Sequence, residues 1–125
     1  MEETTIEQDL IENIRNLDSR VRFVGIIDNE GQLVKGGMLE GVHALEPTKK
    51  DENKLYLKWF LIQAMTEEWN SFLGEKILLY TRHQEVDMYG IPLRHSRILL
   101  VSARYRKGSP FLGDRLLDIV EQSDL

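Results

Sequence analysis

The chain has 125 residues, of which 42% are hydrophobic and 30% charged, and its formal net charge at pH 7 is −5. This length fits one domain, residues 1–125, whose core is large enough to fold without disulfides or metal staples. The absence of cysteine excludes a disulfide framework, thiolate metal sites and a cysteine nucleophile. The acidic balance argues against general nucleic-acid affinity, so we expect no nucleic-acid partner.

The opening sequence MEETTIEQD is acidic and polar, whereas a signal peptide begins with basic and then apolar residues. No apolar run approaches the roughly 20 residues that a membrane helix needs. We therefore expect a soluble cytoplasmic protein with no membrane partner.

The first third of the chain predicts a helix followed by a β-hairpin. Apolar residues recur at helical spacing over residues 5–18, and residues 21–28 (VRFVGIID) are rich in β-branched residues, which is typical of a buried strand. Asn29-Glu30-Gly31 indicates a tight loop. Residues 32–35 form the returning strand, which Gly36 and Gly37 are predicted to end.

The rest of the chain predicts a loop, a long helix, three strands and a short helix. Residues 38–52 show no period and contain Gly41 and Pro47. The long helix is predicted to begin near Thr48–Asp51 and to stop before Gly74, a residue suited to the left-handed end of a helix. The remaining elements are strands at 76–82, 86–91 and 97–104, and a helix at about 112–120.

The predicted order α-β-β-α-β-β-β-α indicates a single α/β domain of the α+β type. Strands joined as hairpins imply a mainly antiparallel five-stranded sheet, with one helical crossover between the second and third strands. The strands at 21–28 and 97–104 are the most continuously apolar, so we expect them in the centre of the sheet. Pro92 fits best at a strand end or edge, because it cannot donate a hydrogen bond.

The long helix carries more apolar surface than one packing partner can cover. At about 100° per residue, its apolar side chains form two neighbouring stripes. Tyr56 and Phe60 are predicted to lie toward the polar arc and to be partly exposed. The first stripe, expected to pack on the sheet, is Leu55, Trp59, Ile62, Trp69 and Leu73. The second stripe, which needs another partner, is Leu57, Leu61, Ala64, Met65 and Phe72.

Several stretches of the chain are similar to those of small archaeal members of the Roadblock/LC7 family, a relative of profilin, longin and PAS-like sandwiches. The resemblance lies in FVGIID (23–28), GQLVKGG (31–37), YGIPL (89–93) and ILLVS (98–102). It implies a Roadblock/LC7-like sandwich with strand order 2-1-5-4-3, in which the long helix covers one face and the terminal helices cover the other. That order places Pro92 in an inner strand, where it would mark a bulge.

The resemblance also implies a homodimer built from the long helices and the edge strand. This would give the second stripe its partner and would use an edge strand that no charge or proline protects. The residues expected at this dimer interface are Leu57, Leu61, Met65, Phe72, Ile77 and Leu79.

No residue set in the sequence predicts a catalytic, cofactor or metal site. The histidines have no ligand partner at helical i, i+4 spacing, and the serines lack a nucleophile elbow. Glu85 and Asp87 alternate onto one strand face near His83, so a weak metal site of these three residues is the alternative. The glycines of residues 36–41 precede a loop, whereas a phosphate cradle needs a helix N-terminus behind its glycines.

Basic residues concentrate near the two ends of the last predicted strand. They could form an anion patch, although solvated strand ends that balance the acidic termini explain them better. The residues of this candidate patch are Arg94, Arg97, Arg104, Arg106 and Lys107.

We therefore predict a non-catalytic homodimeric interaction module, a scaffold or a regulator of a small-GTPase-type signalling partner, with the partner class implied by the family resemblance alone. The alternative is a PAS-like sensor domain without a predicted cofactor, in which Trp59, Met65, Trp69 and Phe72 line a ligand pocket. An enclosed cavity of roughly 300 Å³ or more would distinguish the sensor.

Overall fold

The computed structural model describes residues 2–46 and 48–125. The helices are α1 (Glu2–Arg15), α2 (Lys49–Met65), α3 (Asn70–Leu73) and α4 (Gly113–Ser123), with a 3-10 helix at Glu67–Trp69 between α2 and α3. The strands are β1 (Val21–Ile27), β2 (Leu33–Met38), β3 (Leu79–Arg82), β4 (Val86–Leu93) and β5 (Arg97–Arg104).

The five strands form one antiparallel sheet in the order β2-β1-β5-β4-β3. This confirms the predicted fold class and the strand order that the family resemblance implied. β1 and β5 lie at the centre, and every residue of β1 is buried. Their near-continuous apolar sequences follow from this position, because helices cover both faces of the sheet.

The two faces of the sheet carry separate apolar cores. On one face, α1 and α4 pack against Leu99, Val101 and Ala103 of β5. On the other face, α2 packs against Ile98 and Leu100 of the same strand. The alternation of side chains along a strand therefore divides β5 between the two cores.

The structure corrects the predicted end of the second strand. β2 continues through Gly36 and Gly37 to Met38, which pairs with Phe23 of β1. The φ angles of the two glycines are +85° and +148°, which other residues adopt with strain. A Cβ atom on Gly36 would lie 2.2 Å from the carbonyl oxygen of Val24. The glycines thus keep an irregular edge strand paired rather than ending it.

Other element boundaries also differ from the predictions. The first helix ends at Arg15, whereas the sequence pattern extended it to residue 18, and β3 begins at Leu79 instead of residue 76. Pro92 lies within β4 opposite Ile98, and the register between β4 and β5 is continuous through this pair, without the expected bulge. The proline is accommodated because β3 reaches only Gly90, so Pro92 has a strand neighbour on one side only.

Across residues 2–46 and 48–125, none of the helices combines the length and apolar character that crossing a bilayer requires.

Candidate interaction surface

The inner side of α2 sits closely on the sheet because two glycines leave room for it. Tyr56 and Trp59 are the buried residues of this helix. A Cβ atom on Gly90 would lie 2.9 Å from the indole ring of Trp59, and one on Gly31 would lie 2.5 Å from the Cα atom of Leu57. Any larger residue at either position would push α2 away from the sheet.

The structure corrects the predicted position of Tyr56, which is buried instead of lying near the polar arc. Its ring packs against Phe23 of β1 with 5.7 Å between ring centroids. Burial is the main reason why the pKa of Tyr56 rises from its ordinary value of 10.0 to about 12, and Glu52 and Glu46 raise it further. Phe60 is half-buried and packs against the same core.

The predicted long helix is broken after Met65, so that the 17-residue α2 is followed by two short pieces, the 3-10 helix and α3. The hydroxyl group of Thr66 donates to the carbonyl oxygen of Ile62 at 2.8 Å, a contact that competes with the helical ladder. Lys76 donates to the carbonyl oxygen of Gln63 at 3.0 Å and to the hydroxyl of Thr66. Burial lowers the pKa of Lys76. These contacts end α2 and turn the 3-10 helix and α3 in a new direction.

Large apolar side chains are exposed along α2, the 3-10 helix, α3 and the segment before β3. We call this set the apolar surface. Its members are between 41% and 74% exposed: Leu57, Leu61, Ile62, Met65, Trp69, Phe72, Leu73 and Ile77. Large exposed apolar side chains that cluster on a surface mark candidate sites of protein–protein interaction.

Part of the first predicted stripe lies on this apolar surface and not on the sheet. Leu55 and Trp59 pack against the sheet core as expected, but Ile62, Trp69 and Leu73 are exposed. The sequence pattern assumed one straight helix through residue 73. The change of direction after Met65 gives the last two residues a different phase from the first two.

The structure places the predicted interface residues in two environments. Leu57, Leu61, Met65 and Phe72 are exposed members of the apolar surface. Ile77 is also exposed but precedes β3, whereas Leu79 lies in β3 and packs partly buried against the α2-side core. The helix residues and Ile77 are therefore available to a second chain, and Leu79 contributes chiefly to its own core.

A buried polar network at the β3–β4 hairpin was missed in the sequence. Asp87 is fully buried, and its carboxylate accepts from Nε and Nη2 of Arg82 at 2.7 and 2.8 Å and from the hydroxyl of Tyr80 at 3.0 Å. The guanidinium group lies 4.2 Å from the ring centroid of Tyr105. Arg82 and Asp87 are directly opposite each other in the register of β3 and β4. Two opposite charges on either side of a short hairpin loop are therefore the sequence signal that could have predicted this ion pair.

This network makes Asp87 a structural residue and not a metal ligand. Both carboxylate oxygens bind Arg82, while His83 pairs with the hydroxyl of Thr81 and Glu85 is exposed. Burial and the hydrogen bond to Asp87 raise the pKa of Tyr80 to about 12. The three residues of the alternative metal site therefore do not converge. No group of metal-ligating residues was found within 2–46 and 48–125.

The candidate anion patch is divided between the two ends of β5. Arg94 and Arg97 lie at one end, where they pair with Asp124 and Glu7. Arg104 lies at the other end, close in sequence to Arg106 and Lys107. Since seven residues of an extended strand span about 23 Å, the five basic residues do not form one site.

The space between α2 and the sheet is nearly filled. A cavity of about 30 Å³ lies there, lined by Arg22, Tyr56, Met88 and Ser102 among others. This volume is close to that of one water molecule, whereas pockets for small organic ligands measure roughly 300 Å³ or more. The observation disfavours the PAS-like sensor.

The sequence matches no family profile and no curated protein. Solved structures are similar to it in fold. The gliding protein MglB from Thermus thermophilus has a TM-score of 0.69 at 12% identity, covering 96% of this chain and 89% of its own. A structure of MglB in a tetrameric arrangement has a TM-score of 0.65 at 14% identity, with coverages of 92% and 88%.

A Roadblock/LC7 domain from Streptomyces avermitilis is similar over comparable lengths. It has a TM-score of 0.64 at 9% identity and covers 92% of this chain and 88% of its own. Identities this low carry information on the fold alone. The predicted resemblance is confirmed at that level: the chain has the Roadblock/LC7 fold.

Proposed function

We propose that the protein is a non-catalytic homodimeric interaction module in which the apolar surface of one chain packs against that of a second copy. The observation that carries this proposal is the exposure of eight large apolar side chains on consecutive elements of the chain, from α2 to the segment before β3. Burying a large apolar side chain contributes roughly 1.5–3 kcal/mol. Because association itself costs roughly 4–15 kcal/mol, most of the eight side chains must be buried together for a stable dimer.

The edge strand β3 supports the same interface. Among the described residues, β3 pairs with a strand on one side only, with β4, and the apolar surface reaches it through Ile77. A two-fold dimer could therefore combine helix packing with pairing of the two β3 edges. The tetrameric MglB of similar fold supports self-association as a use of this architecture.

The partner class follows from the family resemblance and not from a site in this chain. Regulation of a small-GTPase-type signalling protein fits a dimer that leaves other faces free for binding. Mixing the protein with small GTPases of its own organism tests this part: we expect co-elution or a changed rate of GTP hydrolysis. If neither co-elution nor a changed rate of GTP hydrolysis is observed, scaffolding remains as the function.

The dimer is tested with a charged substitution in the middle of α2. For the wild type, we expect a mass of about twice the 14.6 kDa of one chain by size-exclusion chromatography with light scattering. Leu61→Glu should reduce the mass to that of one chain, with the circular dichroism spectrum unchanged. Val34→Glu is the matched control, because Val34 is 44% exposed and Leu61 is 45% exposed. Val34 lies on β2, at the opposite edge of the sheet, so this variant should remain dimeric.

Two results would contradict the proposal. One is a wild-type chain that stays monomeric at high micromolar concentration. The other is a Leu61→Glu variant that unfolds, because this would show that Leu61 belongs to the core of its own chain.

A further inference from the structure

A groove separate from the apolar surface lies beside the ends of β4 and β5. It has a volume of about 510 Å³ and lies between the loop at residues 41–45, the turn before β4 and the end of β5. Its charged and titratable lining residues are Arg22, His43, Glu85, Arg104, Tyr105 and Arg106. One arginine of β1 and two at the end of β5 thus line the groove together with one exposed carboxylate.

The arginines of the groove differ from the others in how their charges are balanced. Among the described residues, the three that line the groove form no ion pair with a carboxylate, and Arg115 donates to the carbonyl oxygen of Leu17. The five remaining arginines do pair with carboxylates: Arg15, Arg20, Arg82, Arg94 and Arg97. Three of the four arginines without a carboxylate partner in the described part of the chain therefore line one concave site.

Arg22 is the fixed member of this set. It is only 7% exposed, and its Nη2 donates to the carbonyl oxygen of His43 at 2.6 Å. A buried cation without a counter-charge is unfavourable. Glu46 lines the adjoining 30 Å³ cavity together with Arg22, yet one of its buried carboxylate oxygens has no hydrogen-bond partner. Within residues 2–46 and 48–125, neither Glu46 nor Glu85 forms an ion pair with Arg22, so an anion entering the groove could become its charged partner.

We propose that this groove binds the phosphate group of a small organic phosphate. Guanidinium groups bind phosphate oxygens with two parallel hydrogen bonds, and a buried guanidinium is already oriented for this. The groove is much larger than a phosphate ion and falls within the range of small-ligand pockets. Val42 and Leu45 also line it and offer apolar contact to the organic part.

The experiment is a titration of the isotope-labelled protein with phenyl phosphate and, separately, with inorganic phosphate, followed by amide chemical shifts. We expect saturable shifts at Val42, Glu85 and Arg106, with phenyl phosphate binding more tightly than inorganic phosphate. Equal affinity for the two probes would overturn the assignment of an organic phosphate. No shifts up to about 20 mM phenyl phosphate, where even weak millimolar sites fill, would overturn the site itself.

Variants separate a specific site from general charge attraction. Arg104→Gln and Arg106→Gln should each weaken phenyl phosphate binding roughly tenfold, and both residues are exposed, so the fold should tolerate them. Glu85→Gln should strengthen binding by removing the opposing charge. Arg94→Gln, at the far end of β5, is the control with the same charge change. An equal loss in this control, or no gain with Glu85→Gln, would contradict the proposal. Leu61→Glu should bind phenyl phosphate like the wild type, because the groove does not depend on the dimer.

Discussion

The two faces of the sheet are covered to different extents by the same short chain. On the face of α1 and α4, Leu10, Ile14, Leu112 and Leu116 are at most 1% exposed, so two helices cover the centre of that core. On the other face, α2 buries Tyr56 and Trp59 and leaves its outer side apolar and exposed. One face thus has all its packing partners within the chain. The other has an excess of apolar side chains, which is why we place the association of copies there.

The difference in packing between the two faces should be largest when one large apolar side chain on each face is truncated to alanine. Leu116→Ala, on the closed face, should lower the free energy of unfolding by about 3 kcal/mol because a cavity remains. Met65→Ala, where the side chain is 74% exposed, should change it by less than about 0.5 kcal/mol. Both are measured by urea unfolding in the Leu61→Glu background, so that association contributes nothing. Similar losses in the two variants would show that the faces are equally packed.

The close packing of α2 on the sheet can be tested at Gly90. Gly90→Ala should cost about 2 kcal/mol, because the added methyl group overlaps the indole ring of Trp59. Combining it with Trp59→Leu should recover part of this loss, since the smaller side chain leaves room for the methyl group. Urea unfolding of the wild type, both single variants and the double variant measures the coupling. Strictly additive effects would show that the two positions do not press on each other.

The smallest effect concerns stability at alkaline pH, to which tyrosines on both faces contribute. Burial raises the pKa of Tyr89 on the α1 and α4 side as well. Tyr56 packs in the α2-side core and Tyr80 against the other core, and the pKa of each rises from 10.0 to about 12. Above pH 10 the unfolded chain loses these protons while the folded chain keeps them. Stability should therefore be fully present below pH 10 and should fall as pH rises from 10 to 12.

Phenylalanine variants assign this pH dependence to the two faces. Tyr56→Phe and Tyr80→Phe should each flatten the loss of unfolding free energy between pH 10 and 12. Tyr80→Phe should also cost about 1 kcal/mol at pH 7, because Asp87 loses a hydrogen bond. Urea midpoints measured from pH 7 to 11.5 check both. A slope unchanged in either variant would mean that the corresponding phenol does not control it.

The sheet was predictable because its central strands leave little ambiguity. The bounds of β5 agree with the prediction. Its apolar run ends at an arginine on each side, and this pattern predicts a central strand that is buried on both faces. Features that depend on distant residues were not predictable. The break after Met65 involves a hydrogen bond from the distant Lys76 to the carbonyl oxygen of Gln63. The continuation of β2 depends on glycine at position 36, because a side chain there would collide with the carbonyl oxygen of Val24.

The candidate sites show the same limit. Helical spacing identified the exposed stripe at Leu57, Leu61 and Met65, because an excess of apolar side chains can be recognised in the sequence of a single helix. The grouping of basic residues failed because it used closeness in sequence, whereas the two ends of β5 are far apart. Arg22 and His43 were absent from the predicted patch, since only the folded chain brings β1 and the 41–45 loop beside Arg104.

The irregular glycines of β2 also limit how copies of this chain could assemble. A sheet with two regular free edges can add copies at both ends and grow into a fibre. Here the positive φ angles of Gly36 and Gly37 distort one edge and leave β3 as the regular one. Pairing two β3 strands about a two-fold axis would use up the regular edge of both chains. In such a dimer, growth by strand addition would stop at two copies, because the irregular backbone of β2 would not accept a further strand.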